Sequence, residues 1–300
     1  MTAETRSALT DKNNTVSPQP LERPTAKAMW RLLLFFIFYM IFRLLVEVTL
    51  SVSCYSIGPT LPQALKDFLI LGESAEEILL TGDCKVIISG IGFLVAGLMI
   101  RAKAFEYDKK YTARKEVSNA VYALIALAAM SMALFLNILI LKSGITEISE
   151  EYAEVAEAQY DCGFLVGFIV YGFISPLSEE FMFRGILYNG FKRYFKMMAA
   201  LLMSSAFFSL YHGNGVQGMY SFAISVFIVY SYEKTGNFPV TVLIHMVCNL
   251  TAYIFTYAME ALSQGVVNAA FGLSFVIAAA CIYVLFFMKK KIASDKDENE

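Results

Sequence analysis

The residues of this chain that could do hydrolytic chemistry are two histidines and a pair of adjacent glutamates. Among 300 residues only His212 and His245 are histidines, and both lie in strongly apolar segments. A third apolar segment carries Glu179 and Glu180 side by side. Ionisable side chains are expensive in lipid-spanning segments and are usually kept there for a function, so the three segments predict one buried polar centre. A carboxylate and an imidazole that converge in this way can activate a water molecule.

The glutamate segment predicts different surroundings for its two carboxylates. Glu180 and Arg184 are four residues apart, so they share a helix face and can pair. Glu179 is rotated by about 100° from Glu180 and is expected to point elsewhere, toward a cavity. Pro176 lacks a backbone N–H, which frees a carbonyl upstream and can open space beside Glu179. The segment therefore predicts Glu179 as a general base, with a packing network of two Glu and one Arg as the alternative.

Each histidine has a companion one helical turn away. Phe208 and His212 are four residues apart, and the aromatic ring can fix the orientation of the imidazole. His245 and Asn249 have the same spacing, and an imidazole and an amide can direct donors at a developing oxyanion. Each motif alone also fits a core histidine near a helix end or a polar contact between helices. The three motifs together favour a functional site.

The composition indicates that a membrane protein positions these residues. Hydrophobic residues make up 57% of the chain and charged residues only 17%, whereas roughly a quarter of the residues are charged in soluble domains. The net charge of −2 gives no reason to expect a nucleic-acid partner. Five cysteines without CxxC spacing are interpreted as small apolar packing residues.

The apolar segments predict an all-α, polytopic membrane protein of about eight transmembrane helices, since a spanning helix needs about 20 mostly apolar residues. The predicted spans are roughly 29–55, 84–101, 118–141, 163–188, 197–212, 219–233, 239–258 and 267–288. They form a single transmembrane domain over 28–288, whose chemical core is 163–258. Residues 1–27 are expected to be a disordered cytoplasmic tail, and 289–300 a charged cytoplasmic tail.

The charges of the loops predict that both termini are cytoplasmic. Lys and Arg concentrate in three segments that fall on one side when eight spans are threaded: 101–116, 189–196 and 289–291. The acidic segments 57–83 and 142–161 then fall on the opposite side. Residues 62–80 are expected to form an amphipathic helix on that outer surface. The multi-pass chain is expected in the plasma membrane.

The first span contains a charged pair of its own. Arg43 and Glu47 are four residues apart and can neutralise each other on one helix face. We interpret them as a self-paired packing element in preference to a part of the site.

Depth places a condition on the polar centre. His212 lies about 15 residues into its predicted span and His245 about 6, or ~22 Å and ~9 Å at 1.5 Å per residue. Straight helices would leave the two imidazoles at different depths. Strong tilt, a broken fifth helix or a later helix start is therefore required.

The three motifs resemble those of the CPBP family, also called Abi, which comprises type II CAAX prenyl endopeptidases and bacteriocin-processing enzymes. The pattern is Glu-Glu-x-x-x-Arg, then Phe-x-x-x-His, then His-x-x-x-Asn. All seven positions match in order: Glu179, Glu180, Arg184, Phe208, His212, His245 and Asn249. The resemblance covers 179–249 and the eight-helix layout, and the first 160 residues carry no motif.

The resemblance implies an intramembrane endopeptidase that acts on a peptide or lipidated peptide in the bilayer. It implies that Glu179 activates water with His212. The implied oxyanion donors are His245 and Asn249, and the implied supporting residues are Glu180, Arg184 and Phe208.

The cofactor stays open at this point. The family has also been described as metalloproteases, and Glu179, His212 and His245 are acceptable zinc ligands with water in the fourth position. The sequence contains no HExxH motif. It also contains no GxSxG and no GxGD motif, which argues against rhomboid-like and presenilin-like sites. We favour a glutamate-dependent mechanism, with zinc as the alternative.

Two other functions remain as alternatives. A non-catalytic bacteriocin self-immunity or scaffold protein of the same fold should tolerate Gln at Glu179. A proton-coupled transporter is disfavoured, because no inverted repeat is clear and several spans lack polar lining residues. The substrate is open among a prenylated C-terminal motif, a bacteriocin leader and a membrane-protein segment.

Overall fold

The computed structural model describes residues 21–57, 60, 62, 81–115 and 117–287. These ranges fold into helices without any strand. The helices are α1 (Ala26–Ile57), α2 (Gly82–Tyr111), α3 (Asn119–Ser143), α4 (Ile145–Ile148), α5 (Glu150–Tyr160), α6 (Phe164–Lys192), α7 (Met197–Tyr211), α8 (Gly215–Thr235), α9 (Phe238–Ala258) and α10 (Gln264–Phe286). The prediction of an all-α chain is confirmed.

Among the described residues, six helices are long and apolar enough to cross a membrane: α1, α2, α3, α6, α9 and α10. The fifth predicted span corresponds to α7, a shorter apolar helix of 15 residues. The sixth corresponds to α8, which has 21 residues. The chain is therefore an integral, multi-pass membrane protein. The number of crossings and the cytoplasmic placement of the termini stay predictions.

A tight turn places the first histidine between α7 and α8. Helix α7 ends at Tyr211, and Gly213 follows with a φ of 76°. Glycine enters this left-handed region without a steric penalty. Asn214 then caps α8, because its side-chain oxygen accepts from the N–H of Gln217 at 2.8 Å. His212 consequently lies in the turn itself.

The turn between α8 and α9 positions the second histidine. Gly236 has a φ of 62°, and a Cβ at this position would clash with the carbonyl oxygen of Ala113. Pro239 lies in the first turn of α9, where its missing N–H would have no helical partner. His245 therefore lies about two turns into α9.

Helix α6 changes its winding twice. It is π-helical over Val170–Ile174 and Phe181–Tyr188 and α-helical elsewhere. Glu179 and Glu180 lie in the α-helical turn between the two π segments, which begins with Ser175 and Pro176. π segments inside α-helices are frequent at functional sites. The winding of α6 therefore marks the glutamate pair.

The second π segment of α6 is the most deeply buried part of the helix core. All eight of its residues are buried, and it packs against α1, α2, α7 and α9. Small residues allow close approach between α6 and α2, since Gly185 faces Ala104 and Gly97 faces Ser178. The glutamate helix is thus surrounded by the helices that carry the other candidate residues.

Several predictions fall outside the described residues. The tail over 1–27 is described only from Leu21, and the tail over 289–300 is not described. The amphipathic helix over 62–80 is described only at Pro62. The division of the chain into two tails and one membrane domain stays a prediction.

Candidate active site

A buried ion pair anchors the glutamate segment. Arg184 Nη1 donates to Glu180 Oε1 at 2.7 Å, and both side chains are 0% exposed. Arg184 Nη2 donates to Ser225 Oγ of α8 at 2.8 Å, and this hydroxyl donates to Ser205 Oγ of α7 at 2.9 Å. Buried charges are tolerated when they are paired and hydrogen-bonded. The predicted pair is present, and it ties α6 to α7 and α8.

His245 bridges the two glutamates. Its Nδ1 lies 2.7 Å from Glu180 Oε1, and its Nε2 lies 3.6 Å from Glu179 Oε2. Because a carboxylate accepts, Nδ1 donates its hydrogen to Glu180 and Nε2 is turned toward Glu179. The sequence predicted that Glu179 points away from the ion pair. The two carboxylates do lie on different faces of the helix. The His245 imidazole lies between them, with one ring nitrogen directed at each.

Glu179 is oriented by its own helix. Ser175, one turn earlier, donates from Oγ to Glu179 Oε1 at 3.0 Å. Glu179 is 4% exposed, and what remains accessible opens into a cavity rather than onto the outer surface of the helix bundle. The arrangement agrees with the predicted carboxylate that faces a cavity.

Phe208 brings the two histidines together. Its ring centre lies 4.8 Å from that of His212 and 5.4 Å from that of His245, with nearly perpendicular planes in both cases. The Arg184 guanidinium lies 4.5 Å from the centre of the same ring. His212 Nδ1 donates to the Phe208 carbonyl oxygen at 2.8 Å, which leaves Nε2 with its lone pair. Both the ring and the carbonyl of Phe208 thus fix the His212 imidazole.

The length of α7 accounts for the depth of His212. Its 15 residues span about 22 Å, whereas the apolar core of a bilayer is about 30 Å thick. A helix of this length that begins at one surface ends inside the membrane, and His212 follows directly. The structure brings both imidazoles against the Phe208 ring, while the depth of the site in the membrane stays a prediction.

Asn249 donates a hydrogen bond to a backbone carbonyl of α6 for which Pro176 offers no N–H. Its Nδ2 donates to the carbonyl oxygen of Tyr171 at 3.0 Å. Tyr171 lies in the first π segment, where a carbonyl accepts from the residue five positions later. That residue is Pro176, which has no N–H. The amide replaces the missing donor, and its second Nδ2 hydrogen remains available to another acceptor.

One cavity of about 600 Å³ connects the motifs. Glu179, His212 and Asn249 lie in its wall, whereas Glu180 and His245 do not. Helix α5, in the acidic segment 142–161, also contributes to this wall: Tyr152, Val155, Ala156, Ala158, Gln159 and Tyr160. Glu179, His212 and Asn249 therefore border the cavity directly, and His245 lies next to Glu179, with 3.6 Å between its Nε2 and Glu179 Oε2.

Several cavity residues were not assigned to the site from the sequence. Ser175 lies one turn before Glu179 and Tyr211 directly precedes His212, and these spacings could have identified both. Arg43 was interpreted as a packing residue, yet it lies in the cavity wall. Gln217 and Tyr220 of α8 also line the cavity, without any signal in the sequence.

The proposed zinc ligands have suitable chemistry. Glu179, His212 and His245 supply the oxygen and nitrogen donors that zinc accepts. Within the part of the chain that the structure describes, however, no group of three His, Cys, Asp or Glu side chains is arranged to hold a metal ion. The zinc set stays a prediction.

Comparison with known proteins agrees with the motifs. Residues 161–251 match the family model described as Type II CAAX prenyl endopeptidase Rce1-like. This range contains all seven motif positions. No curated protein and no solved structure matches the chain. The resemblance found in the sequence is confirmed over residues 161–251, which are similar to the Rce1-like type II CAAX prenyl endopeptidase family.

Proposed function

We propose that the protein is an intramembrane endopeptidase of the CAAX prenyl protease type, in which Glu179 and His212 activate the attacking water. The observation that carries this proposal is the shared cavity, whose wall contains both side chains. Among the described residues, no hydrogen bond occupies Nε2 of His212, so this nitrogen can orient a water molecule. Ser175 holds the Glu179 carboxylate in position to accept a proton.

The reaction follows from these positions. Glu179 takes a proton from water while the water oxygen attacks the carbonyl carbon of the peptide bond. The resulting tetrahedral oxyanion collapses, the C–N bond breaks, and the proton held by Glu179 passes to the leaving nitrogen. The products are a new carboxylic acid, whose proton passes to the new amine to give a carboxylate and an ammonium group, and the residues return to their starting state.

His245 and Asn249 supply the oxyanion donors in this proposal. Asn249 has one Nδ2 hydrogen left after its bond to the Tyr171 carbonyl. His245 uses its Nδ1 hydrogen for Glu180, so it donates from Nε2 only as an imidazolium.

The proposed substrate is a prenylated peptide that enters the cavity from the bilayer. The family match and the position of the cavity among apolar helices support this substrate class. A bacteriocin leader peptide is the alternative within the wider family. If zinc binds, Glu179, His212 and His245 would hold it, and the metal would supply Lewis-acid activation of the water.

The test is cleavage of prenylated CAAX peptides and leader peptides by purified protein in detergent. We expect Glu179→Gln and His212→Ala to lower kcat by about 100-fold or more, the range of general-base catalysis. Glu106→Gln, at an exposed position on α2, is the matched control and should keep full activity. Each variant is assayed with and without a chelator, because loss of activity in chelator favours zinc chemistry.

Two outcomes would contradict the proposal. Cleavage that survives in both site variants means that the catalytic assignment is wrong. A folded wild-type protein that cleaves none of the peptides favours the immunity or scaffold alternative.

A further inference from the structure

Arg43 gives the cavity a cation that the three motifs do not explain. It lies in the wall of the same cavity as Glu179 and His212. It comes from α1, outside the range 161–251 that matches the family. A guanidinium in a membrane-spanning helix is expensive, so it indicates either strict pairing or a function. Its contacts distinguish the two.

Three contacts fix the direction in which Arg43 points. Its Nε donates to Glu47 Oε1 at 2.8 Å, and its Nη1 donates to the hydroxyl of Tyr211. The guanidinium carbon lies 4.1 Å from the centre of the Phe93 ring, within the range of a cation–π contact. Because Tyr211 directly precedes His212, the cation is held beside the candidate catalytic residues.

The counter-ion of Arg43 does not line the cavity. Glu47 Oε1 also accepts from Ser89 Oγ of α2 at 3.2 Å, and the Glu47 side chain lies against Gly92. Arg43 and Ser89 line the cavity, whereas Glu47 does not. The ion pair thus presents its positive end to the cavity, and 23% of the Arg43 side chain is exposed.

The guanidinium keeps donors for a ligand. Of its five N–H groups, one donates to Glu47 and one to Tyr211 among the described residues, which leaves three. A planar guanidinium matches a carboxylate through two parallel hydrogen bonds. A role in packing alone would explain the bond of Arg43 to Glu47. It would not explain why three N–H groups remain unbonded among the described residues or why Arg43 lies in the cavity wall.

We propose that Arg43 binds the free C-terminal carboxylate of the peptide substrate and thereby sets how far from the chain end cleavage occurs. This inference rests on the proposed protease function. A cavity of about 600 Å³ has the size of a small-ligand site. Arg43 is the one Lys or Arg among the described residues of the cavity wall, and it marks where the terminal charge would lie.

The test uses three prenylated peptides that differ only at the last residue. One ends in a free carboxylate, one in an amide, and one in an amide after a glutamate. We measure kcat/KM with the wild-type protein and Kd with Glu179→Gln, in which turnover is blocked. We expect both measurements to favour the free carboxylate by about tenfold or more, the order expected for a hydrogen bond between charged groups.

Four variants assign this preference to Arg43. Arg43→Gln should bind the carboxylate and amide peptides equally, and Arg43→Lys should keep part of the preference. Glu47→Gln retains the cation and should retain the preference, whereas a merely structural ion pair predicts equal effects of Arg43→Gln and Glu47→Gln. Arg101→Gln, at an exposed position on α2, is the control for loss of one positive charge. Folding of each variant is checked by its thermal unfolding in detergent, and Arg43→Lys carries the test if Arg43→Gln does not fold.

The outcomes separate this inference from the protease proposal. Equal cleavage of carboxylate and amide peptides by the wild-type protein overturns the carboxylate site and leaves the protease intact. If the glutamate-bearing amide is favoured over the plain amide as strongly as the free carboxylate is, the assignment to the chain end is overturned. A preference in Kd without any cleavage supports the site and counts against the protease. Loss of the preference in Glu47→Gln also overturns the inference.

Discussion

The neighbouring carboxylates Glu179 and Glu180 have different hydrogen-bond partners and different surroundings. Glu180 is 0% exposed and contacts Arg184 and His245, so it serves as a counter-ion and a positioning group. Glu179 is bonded by the neutral hydroxyl of Ser175 and faces the cavity. Glu179 has the Ser175 hydroxyl as its hydrogen-bond partner, whereas Glu180 is held in a buried ion pair with Arg184, so Glu179 is the carboxylate that we propose as the base. The division of roles follows from one helical step of about 100°.

The buried ion pair predicts a large loss of stability on substitution at Glu180. Glu180→Gln leaves the Arg184 charge buried without its partner, so we expect the free energy of unfolding to fall by about 3–5 kcal/mol. The control is Glu106→Gln on α2, whose pair with Lys103 is exposed and should contribute about 0.3–0.5 kcal/mol. Denaturant unfolding in detergent measures both. Equal and small effects would show that the Arg184 charge is neutralised by other means.

Helix α6 combines two π segments and a proline around the catalytic candidate. Pro176 has no N–H to donate to the Tyr171 carbonyl of the first π segment, and Asn249 of α9 donates to that oxygen. The helix that carries Glu179 is therefore completed by a side chain from another helix. An element of this kind depends on its neighbour for its geometry, and the position of Glu179 depends on the contact between α6 and α9.

The dependence of α6 on α9 predicts coupling between Pro176 and Asn249. Pro176→Ala restores a backbone N–H that can bond the Tyr171 carbonyl, so Asn249 loses this acceptor. We expect Pro176→Ala and Asn249→Leu each to lower kcat/KM, and the double variant to lose less than the sum of the two effects, as residues in one network do. The measurement is a double-mutant cycle on kcat/KM.

Pro239→Ala is the matched control for this cycle. Pro239 lies in the first turn of α9, where a missing N–H is harmless, so the substitution should leave kcat/KM nearly unchanged. Strictly additive effects of Pro176→Ala and Asn249→Leu would show that the Tyr171 contact does not position the site.

At the scale of the whole molecule, the charges at the two ends of the helices differ. The basic segment 101–116 covers the end of α2 and the residues after it, whereas the acidic segment 142–161 contains α5, and side chains of α5 line the cavity. The bias of Lys and Arg toward the cytoplasm predicts that α5 lies on the outer side. The cavity wall would then include residues from the side of the membrane opposite to the basic loops.

Thiol labelling in intact cells tests this sidedness. In a variant whose five cysteines are replaced by serine, we expect Glu154→Cys on α5 to react with a membrane-impermeant maleimide in intact cells. Lys110→Cys at the end of α2 should react only after the membrane is permeabilised. Both side chains are exposed in the structure, which makes them a matched pair. The reverse pattern would place the termini outside.

The sequence was informative where contacts are local and uninformative where they depend on packing between helices. The Glu180–Arg184 pair and the contact of Phe208 with His212 follow from spacings of four residues, and both are present. The bond from Asn249 to the Tyr171 carbonyl joins residues 78 positions apart. The direction of Arg43 depends on Tyr211 of a distant helix. No periodicity within one segment carries that information.

The second π segment of α6 has a consequence for insertions and deletions. A π turn holds more residues than an α turn, so loss of one residue between Phe181 and Tyr188 could be absorbed by rewinding the segment as α-helix. Glu179 and Glu180 lie before this segment and would keep their places. Asn189 follows it and would keep its contact with the Thr112 hydroxyl after one such loss, whereas a further loss would rotate it by about 100° away from that hydroxyl. Descendants of this chain should therefore tolerate the loss of one residue in this segment more readily than the loss of several.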